Sequence, residues 1–196
     1  MRTVVGRPPG PAAAATREQV LEVARREFVA GRRLEVSAIA AELGLARATL
    51  YRWFGSRDRL LGETIARDAE DYFRRVRARV KGRGGSALLE TFDQINRGLT
   101  RSSALRRFLE QERESALRTL TSSGGIVEPR SVAVIADLID DEVRRGAYDP
   151  PVDPPTLAYA IVGLANAFLY NDAVAGIRGD VDRLRGVEAA LLGVRR

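Results

Sequence analysis

Residues 36–61 read VSAIAAELGLARATLYRWFGSRDRLL, and this stretch decides the fold. Apolar residues recur at helical spacing in two short segments, 36–43 and 45–54, which are separated by Gly44. A glycine at this point supplies a tight turn where a side chain would crowd. Two short helices joined by such a turn are typical of a helix-turn-helix unit, so this stretch predicts one.

The second short helix presents a polar face. Leu50 and Phe54 anchor it, which leaves its first turn for contacts with base edges, as in a recognition helix. Arginine can bind guanine with two hydrogen bonds, and an alanine or threonine methyl can contact that of thymine. Arg57, at the start of the next helix, is expected to hold a phosphate. The predicted DNA-binding residues are Arg7, Ser37, Arg47, Ala48, Thr49, Tyr51, Arg52, Trp53 and Arg57.

Each of these assignments has a simpler alternative. Tyr51 and Trp53 can pack the small domain, and we expect partial burial for Trp53 and a phosphate contact for Tyr51. The first 15 residues, rich in Gly and Pro, predict a flexible arm. Arg7 in that arm either enters a narrow minor groove or is an incidental charge on an unstructured tail.

The rest of the chain also has helical periodicity. Thr16 begins a capping box, Ser56 and Asp153 are predicted N-caps, and Gly31 is a predicted helix stop. Helices are predicted over 57–81, 86–101, 103–121, 129–145, 154–175 and from Asp180 onward. Because no run of alternating β-branched residues occurs, the fold class is all-α with about nine helices.

The charge of the chain is concentrated at one end. The 196 residues carry 32 Lys+Arg against 26 Asp+Glu, a net charge of +6. Residues 1–60 alone carry a net charge of +5, whereas residues 82–196 carry −1. A basic end on a neutral body suggests a nucleic acid or an anionic membrane as the partner of that end.

Composition excludes several kinds of chemistry. The chain has no His and no Cys, so a disulfide, a thiol nucleophile, an imidazole base and an ordinary zinc, copper or haem site are excluded. No carboxylate pair stands out as an acid–base couple, and we therefore expect neither an enzyme nor a cofactor or metal. The most apolar stretch, 157–170, is too short to span a membrane, which predicts a soluble, cytoplasmic chain.

The pattern from Ile39 to Leu61 resembles the TetR/AcrR family of bacterial transcriptional regulators. The resemblance is carried by Ile39-Ala40, Leu43-Gly44-Leu45, Thr49-Leu50-Tyr51-Arg52-Trp53-Phe54, Ser56-Arg57 and Leu60-Leu61. It departs from the family at three positions: Ala46 and Glu35 stand where Ser or Thr is usual, and Arg57 replaces Lys. The resemblance implies an N-terminal DNA-binding domain and a C-terminal half that binds an effector and dimerises.

The C-terminal half adds weaker candidates. Its order of aromatic and acidic residues faintly resembles family members that regulate the degradation of lactones or quorum signals. Most aromatics there belong to a core, and acidic residues on 110–114 are more simply a solvated face. The candidate ligand-binding residues are Phe92, Ile95, Phe108, Glu112, Leu117, Ile135, Tyr159, Asn166 and Tyr170.

The apolar helix 154–175 needs cover on all sides, which a second copy of the chain would provide. The expected dimer interface is a four-helix arrangement that contains Ala158, Val162, Ala165, Leu169, Leu184, Val187 and Leu191.

The sequence thus predicts a flexible basic arm over 1–15, a helix-turn-helix domain over 16–62 and an effector-binding and dimerisation domain over 63–196. We expect a homodimeric repressor that binds palindromic double-stranded DNA and is released by a small, mostly apolar effector. The alternatives are an all-α homodimer whose basic end docks an acidic protein and, more remotely, a small-molecule-binding enzyme. An activator rather than a repressor stays open as well.

Overall fold

The computed structural model describes residues 15–170 and 180–194, and every regular element in those ranges is an α-helix. The all-α prediction is therefore confirmed, although ten helices replace the nine expected. The helices are α1 (Arg17–Val29), α2 (Val36–Glu42), α3 (Arg47–Phe54), α4 (Arg57–Arg79), α5 (Gly84–Arg101), α6 (Ser103–Gln111), α7 (Arg113–Thr121), α8 (Val127–Arg144), α9 (Pro154–Tyr170) and α10 (Val181–Leu191).

The predicted helix starts are present. Thr16 and Gln19 form a complete capping box on α1, and the hydroxyl of Ser56 accepts a hydrogen bond from the Arg59 N–H. Asp153 accepts from the Thr156 N–H at 3.0 Å. Local side-chain chemistry therefore sets these boundaries.

The turn between α2 and α3 has a different cause from the one expected. No atom lies within 4 Å of where a Cβ of Gly44 would be, so a side chain would not crowd anything there. The glycine is favoured because its φ is +65°, in the left-handed region, which lets the Leu45 N–H reach the Ala40 carbonyl at 2.8 Å.

The predicted helix 103–121 is two helices, α6 and α7, and this accounts for the extra element. The backbone leaves helical geometry at Glu112, with φ −133° and ψ 47°. Neither Gly nor Pro marks the break in sequence. It coincides with a tertiary contact, because the Glu112 carboxylate accepts a hydrogen bond from Arg57 at 2.7 Å.

The buried side chains form two clusters, and α4 contributes to both. The first cluster joins α1, α2, α3 and the first part of α4 to α6, α7, the start of α8 and the end of α9. The second lies among α4, α5, α8, α9 and α10. Because the first core extends beyond the helix-turn-helix unit, the expected division at residue 62 stays a prediction.

α9 packs mainly against α8 and also contacts α5 and α10. Within the described ranges, no helix is long and apolar enough to cross a membrane. The part of the predicted helix 154–175 beyond Tyr170 lies outside the described residues.

Candidate DNA-binding surface and ligand cavity

α3 turns one face inward and the opposite face to solvent. Leu50 is 1% exposed and Phe54 5%, and their four-residue spacing places both on one side of the helix. The opposite face is exposed and carries Arg47, Ala48, Tyr51 and Arg52. Most of the predicted base-reading set is thereby presented together.

Arg47 and Tyr51 contact each other across one turn of α3. The Arg47 guanidinium donates to the Tyr51 hydroxyl at 3.1 Å and lies 5.2 Å from the centroid of its ring. Guanidinium has five N–H donors, so this contact leaves donors for a base or phosphate. Ala46 provides no side-chain cap, which leaves the first backbone N–H groups of α3 available to an anion as well.

Ion pairing neutralises most arginines of the N-terminal part and leaves the positive charge on a few of them. Most arginines between residues 17 and 57 face a carboxylate, such as Arg17 with Glu63 at 2.7 Å. Arg25, Arg26, Arg32, Arg33 and Arg57 are also paired. Among the described residues from 17 to 59, the arginines that form no ion pair with a carboxylate are Arg47, Arg52 and Arg59.

The prediction that Arg57 holds a phosphate does not fit the geometry. Its guanidinium is turned inward, where it donates to the Leu34 carbonyl at 2.9 Å and to Glu112 at 2.7 Å. It also contacts Asp58 at 3.3 Å, and only 20% of the side chain is exposed. Two carboxylates and a carbonyl bind this cation from inside the protein, so it joins α4 to the α6–α7 break instead.

Arg59 takes the place expected of Arg57, and our sequence analysis missed it. It is exposed in the first turn of α4, and its Cδ lies 3.5 Å from where a Cβ of Gly55 would be, at the end of α3. Both arginines follow the Ser56 cap, so spacing alone does not distinguish them. The distinguishing signal is Glu112, which is far away in sequence.

The other predicted DNA-binding residues occupy different environments. Ser37 is exposed in the first turn of α2, and Thr49 is half-buried. Trp53 is also half-buried and packs edge-on against Phe54, with ring centroids 6.5 Å apart. Arg7 lies outside the described residues.

A cavity lies in the C-terminal half, between α4, α5, α8, α9 and α10. About 70 Å³ of it is open to the centres of water-sized molecules, and its lining is mostly apolar. α4 contributes one wall through Ile65, Ala69 and Phe73. A cavity of this kind suits a largely apolar small molecule held in place by a few polar groups.

Five of the nine candidate ligand residues line this cavity: Phe92, Ile95, Ile135, Asn166 and Tyr170. The other four lie elsewhere. Phe108 packs edge-on against Phe28 at 5.9 Å, Leu117 packs against the first core, and Glu112 binds Arg57. Tyr159 is 61% exposed on the outer face of α9. Apolar periodicity marks all of these positions as buried or amphipathic but does not tell a core contact from a cavity wall.

Polar residues in the cavity wall were missed by the sequence analysis. Asn96, Glu128 and Glu188 all line it and are each at most 9% exposed. Glu188 lies four residues from both Leu184 and Leu192, on the buried face of α10. An acidic residue in the middle of an apolar helix face is the signal that could have identified it.

The expected dimer interface also needs correction. Ala158, Val162, Leu169 and Leu184 are each at most 7% exposed and belong to the interior of the single chain. Ala165 lines the cavity, and Leu191 packs against the second core. Val187 of the predicted set is exposed. α9 instead exposes Tyr159, Gly163 and Ala167, because α8 and α10 cover its other face.

Comparison with known proteins assigns both halves of the chain. Residues 83–193 match the family model described as "Tetracyclin repressor-like, C-terminal domain". Residues 20–64 match the model "Bacterial regulatory proteins, tetR family". No curated protein sequence matches the chain.

Solved structures of the same architecture are similar over nearly the full length. The R. erythropolis transcriptional repressor QsdR, of the TetR family, is 28% identical with a TM-score of 0.85, over 92% of this chain and 95% of that one. AlkX, a TetR family repressor from a Dietzia species, is 20% identical with a TM-score of 0.66, over 93% and 98%. A putative TetR-family regulator from Mesorhizobium loti is 17% identical with a TM-score of 0.52, over 91% and 98%. The chain belongs to the TetR family of bacterial transcriptional regulators.

Proposed function

We propose that this regulator is a homodimeric repressor that binds a palindromic operator through α3 and leaves it when a mostly apolar molecule occupies the cavity. One observation carries the proposal: α4 belongs to both sites. Leu60 and Leu61 are buried in the core of the helix-turn-helix unit, whereas Ile65 and Phe73 line the cavity or its edge. A ligand that repacks α4 therefore acts directly on the base of the DNA-binding unit.

The distances along α4 favour such coupling. From Arg57 to Phe73 the helix extends roughly 24 Å, at 1.5 Å per residue. A small tilt at the cavity thus displaces α3 at the other end of the lever. The ligand shifts the DNA-binding equilibrium only by its difference in affinity for the two arrangements, which is what repression and release require.

The exposed face of α9 and α10 supports the homodimer. Tyr159, Gly163 and Ala167 follow one another at four-residue spacing, with Val187 of α10 also exposed. Two copies that meet through these helices would present two α3 helices, related by a two-fold axis, to half-sites roughly 34–36 Å apart.

Repression is supported by the similarity to QsdR, which is described as a transcriptional repressor. The suggested relation to regulators of lactone or quorum-signal degradation stays a prediction.

The competing hypothesis, a module whose basic end docks an acidic protein, predicts no preference among DNA sequences. A cytoplasmic location follows if the operator is the partner.

A gel-shift titration with DNA from upstream of its own gene tests the proposal. We expect one specific complex of dimer stoichiometry whose affinity falls steeply with salt, because phosphate contacts release counterions. Arg47→Ala should lose roughly 5- to 100-fold affinity for this DNA and little for random DNA, which corresponds to one base contact. Arg59→Ala should weaken both equally.

Arg75→Ala is the matched control, since Arg75 is exposed on α4 about 18 residues from the start of the helix, roughly 27 Å along its axis. It should change neither affinity by more than about twofold if binding is local to α3. Equal losses on specific and random DNA in the Arg47 variant, or a flat salt titration, would refute the proposal.

A further inference from the structure

Among the described residues that line the cavity there are two acids and no basic residue. Glu128 on α8 and Glu188 on α10 both line it, and no Lys or Arg is present among its described lining residues. Both residues are buried, since Glu128 is 9% and Glu188 0% exposed. Burial of unpaired carboxylates is costly, so their presence in an apolar cavity needs a reason.

Only one of the two carboxylate oxygens of Glu188 has a hydrogen-bond donor among the described residues. Its Oε1 accepts a hydrogen bond from Asn96 Nδ2 at 2.9 Å, and Asn96 itself lines the cavity. Its Oε2 is buried and lacks a hydrogen-bond partner in the part of the chain that the structure describes. A buried oxygen without a donor is rare in folded proteins, and a ligand donor is one way to satisfy it.

Glu128 adds a second acidic group. It lies in the first turn of α8, where the helix dipole stabilises negative charge. Its carboxylate forms no hydrogen bond or ion pair with any other described residue. The cavity therefore offers two acceptor groups from two different helices, α8 and α10.

We infer that the cavity selects an apolar molecule that carries a positively charged nitrogen, with Glu188 and Glu128 as its acceptors. This inference rests on the proposed function and specifies its effector class. An ammonium group donates hydrogen bonds to carboxylate oxygens. It also supplies the positive counter-charge that each carboxylate lacks in an apolar environment. An anionic ligand of the same shape, such as a fatty acid, would meet two like charges and no cation.

The surroundings of Glu188 agree with this assignment. The pKa of Glu188 is raised to about 7, because burial and, to a smaller extent, Asp93 outweigh the lowering by the Asn96 hydrogen bond and Arg185. Near neutral pH, Glu188 is thus partly protonated in the ligand-free cavity. A cation next to Oε2 favours the ionised carboxylate, so binding an amine releases the proton instead of burying an unpaired charge.

Three probes of equal chain length separate charge from apolar burial. We would titrate the full-length dimer with octylammonium, octan-1-ol and octanoate at pH 7.5 by calorimetry. The expected order is octylammonium tightest, by at least tenfold over octanol, with octanoate weakest. Hexyl and decyl homologues then report how much chain the cavity accepts.

Two isosteric variants and one control locate the acceptors. Glu188→Gln should reduce the preference for amine over alcohol at least tenfold, and Glu128→Gln should reduce it by a smaller factor. Glu110→Gln, which alters an exposed acid on α6, should retain the wild-type preference. If Glu188→Gln is unstable, Glu128→Gln and Glu188→Asp still test the assignment.

Octanoate or octanol binding as tightly as octylammonium would overturn the inference, as would an unchanged amine preference in both cavity variants. Gel shifts without any probe report on the proposed DNA binding separately. Intact operator binding together with no amine selectivity refutes only the ligand class, whereas no operator binding refutes the proposed function.

Discussion

Two glutamates are buried completely in this protein, and their surroundings are opposite. Glu142, on α8, accepts from Arg77 at 2.5 Å, from Arg145 at 3.2 Å and from the Gly84 N–H at 2.6 Å. Glu188, on α10, receives one hydrogen bond, from Asn96, within the described structure. Equal burial therefore does not mean an equal role.

The pKa values follow from the number of donors. Burial raises the pKa of Glu142, but the Gly84 N–H and Arg77 lower it more, so it lies below its ordinary range. Glu188 has no comparable partners, and burial raises its pKa to about 7. The saturated carboxylate joins α4, α5 and α8, whereas the unsaturated one faces a cavity. The number of hydrogen-bond donors thus distinguishes an acid that joins helices from one that can still accept a hydrogen bond from a ligand.

Removing the saturated acid should have the largest effect. Glu142→Ala leaves Arg77, whose side chain is only 15% exposed, without its counter-charge and the buried Gly84 N–H without an acceptor. We expect the free energy of unfolding to fall by about 3–5 kcal/mol, as for other buried pairs broken on one side. Urea denaturation at pH 7.5 and fixed protein concentration measures it.

The exposed Glu110 provides the reference for that measurement. Glu110→Ala should change the free energy of unfolding by no more than about 0.5 kcal/mol, as surface substitutions usually do. If Glu142→Ala lowers the free energy of unfolding by as little as Glu110→Ala does, the three hydrogen bonds of Glu142 do no more than offset the desolvation of its carboxylate.

The unsaturated acid should instead appear in the pH dependence of stability. The pKa of Glu188 rises from 4.5 to about 7 on folding, so the folded state retains a proton that the unfolded state has lost. Its contribution is fully present below about pH 4.5 and is lost as pH rises towards 7, by about 3 kcal/mol in all. Glu188→Gln should lack this loss.

The difference between wild type and variant isolates the effect, because other groups titrate identically in both. Glu142 has the opposite sign, since its lowered pKa contributes stability that is lost only as pH falls below the ordinary value. Unfolding titrations from pH 5 to 8 should show the two proteins diverge. Parallel curves would mean that Glu188 is hydrated and titrates normally.

Local chemistry explains why much of the fold was predictable from sequence. The Thr16 capping box, the turn at Gly44 and the Asp153 cap depend on residues close in sequence, and each lies where it was expected. The inward pair of Leu50 and Phe54 likewise follows from helical spacing alone. The exposed polar face of α3 is a consequence of these local rules.

The failures share a cause in long-range pairing. The α6–α7 break and the inward turn of Arg57 both depend on Glu112, which is 55 residues away from that arginine. Glu188 is likewise 92 residues from Asn96. Helical periodicity states which face is buried but not which distant side chain meets it, so cavity walls and core contacts look alike in sequence.

Glu112 is the intermediate case and should give the smallest effect. It is paired like Glu142 but only half-buried, with 19% of its side chain exposed against 20% for Arg57. A double-mutant cycle of Arg57→Gln and Glu112→Gln should yield a coupling energy of about 1 kcal/mol, between the exposed and fully buried limits. The exposed Arg144–Asp140 pair, 63% and 42% exposed, should give a coupling near zero. If the two cycles give the same coupling energy, solvent already screens the Arg57–Glu112 contact. The link between α4 and the α6–α7 break would then depend on the Leu34 carbonyl and on apolar packing.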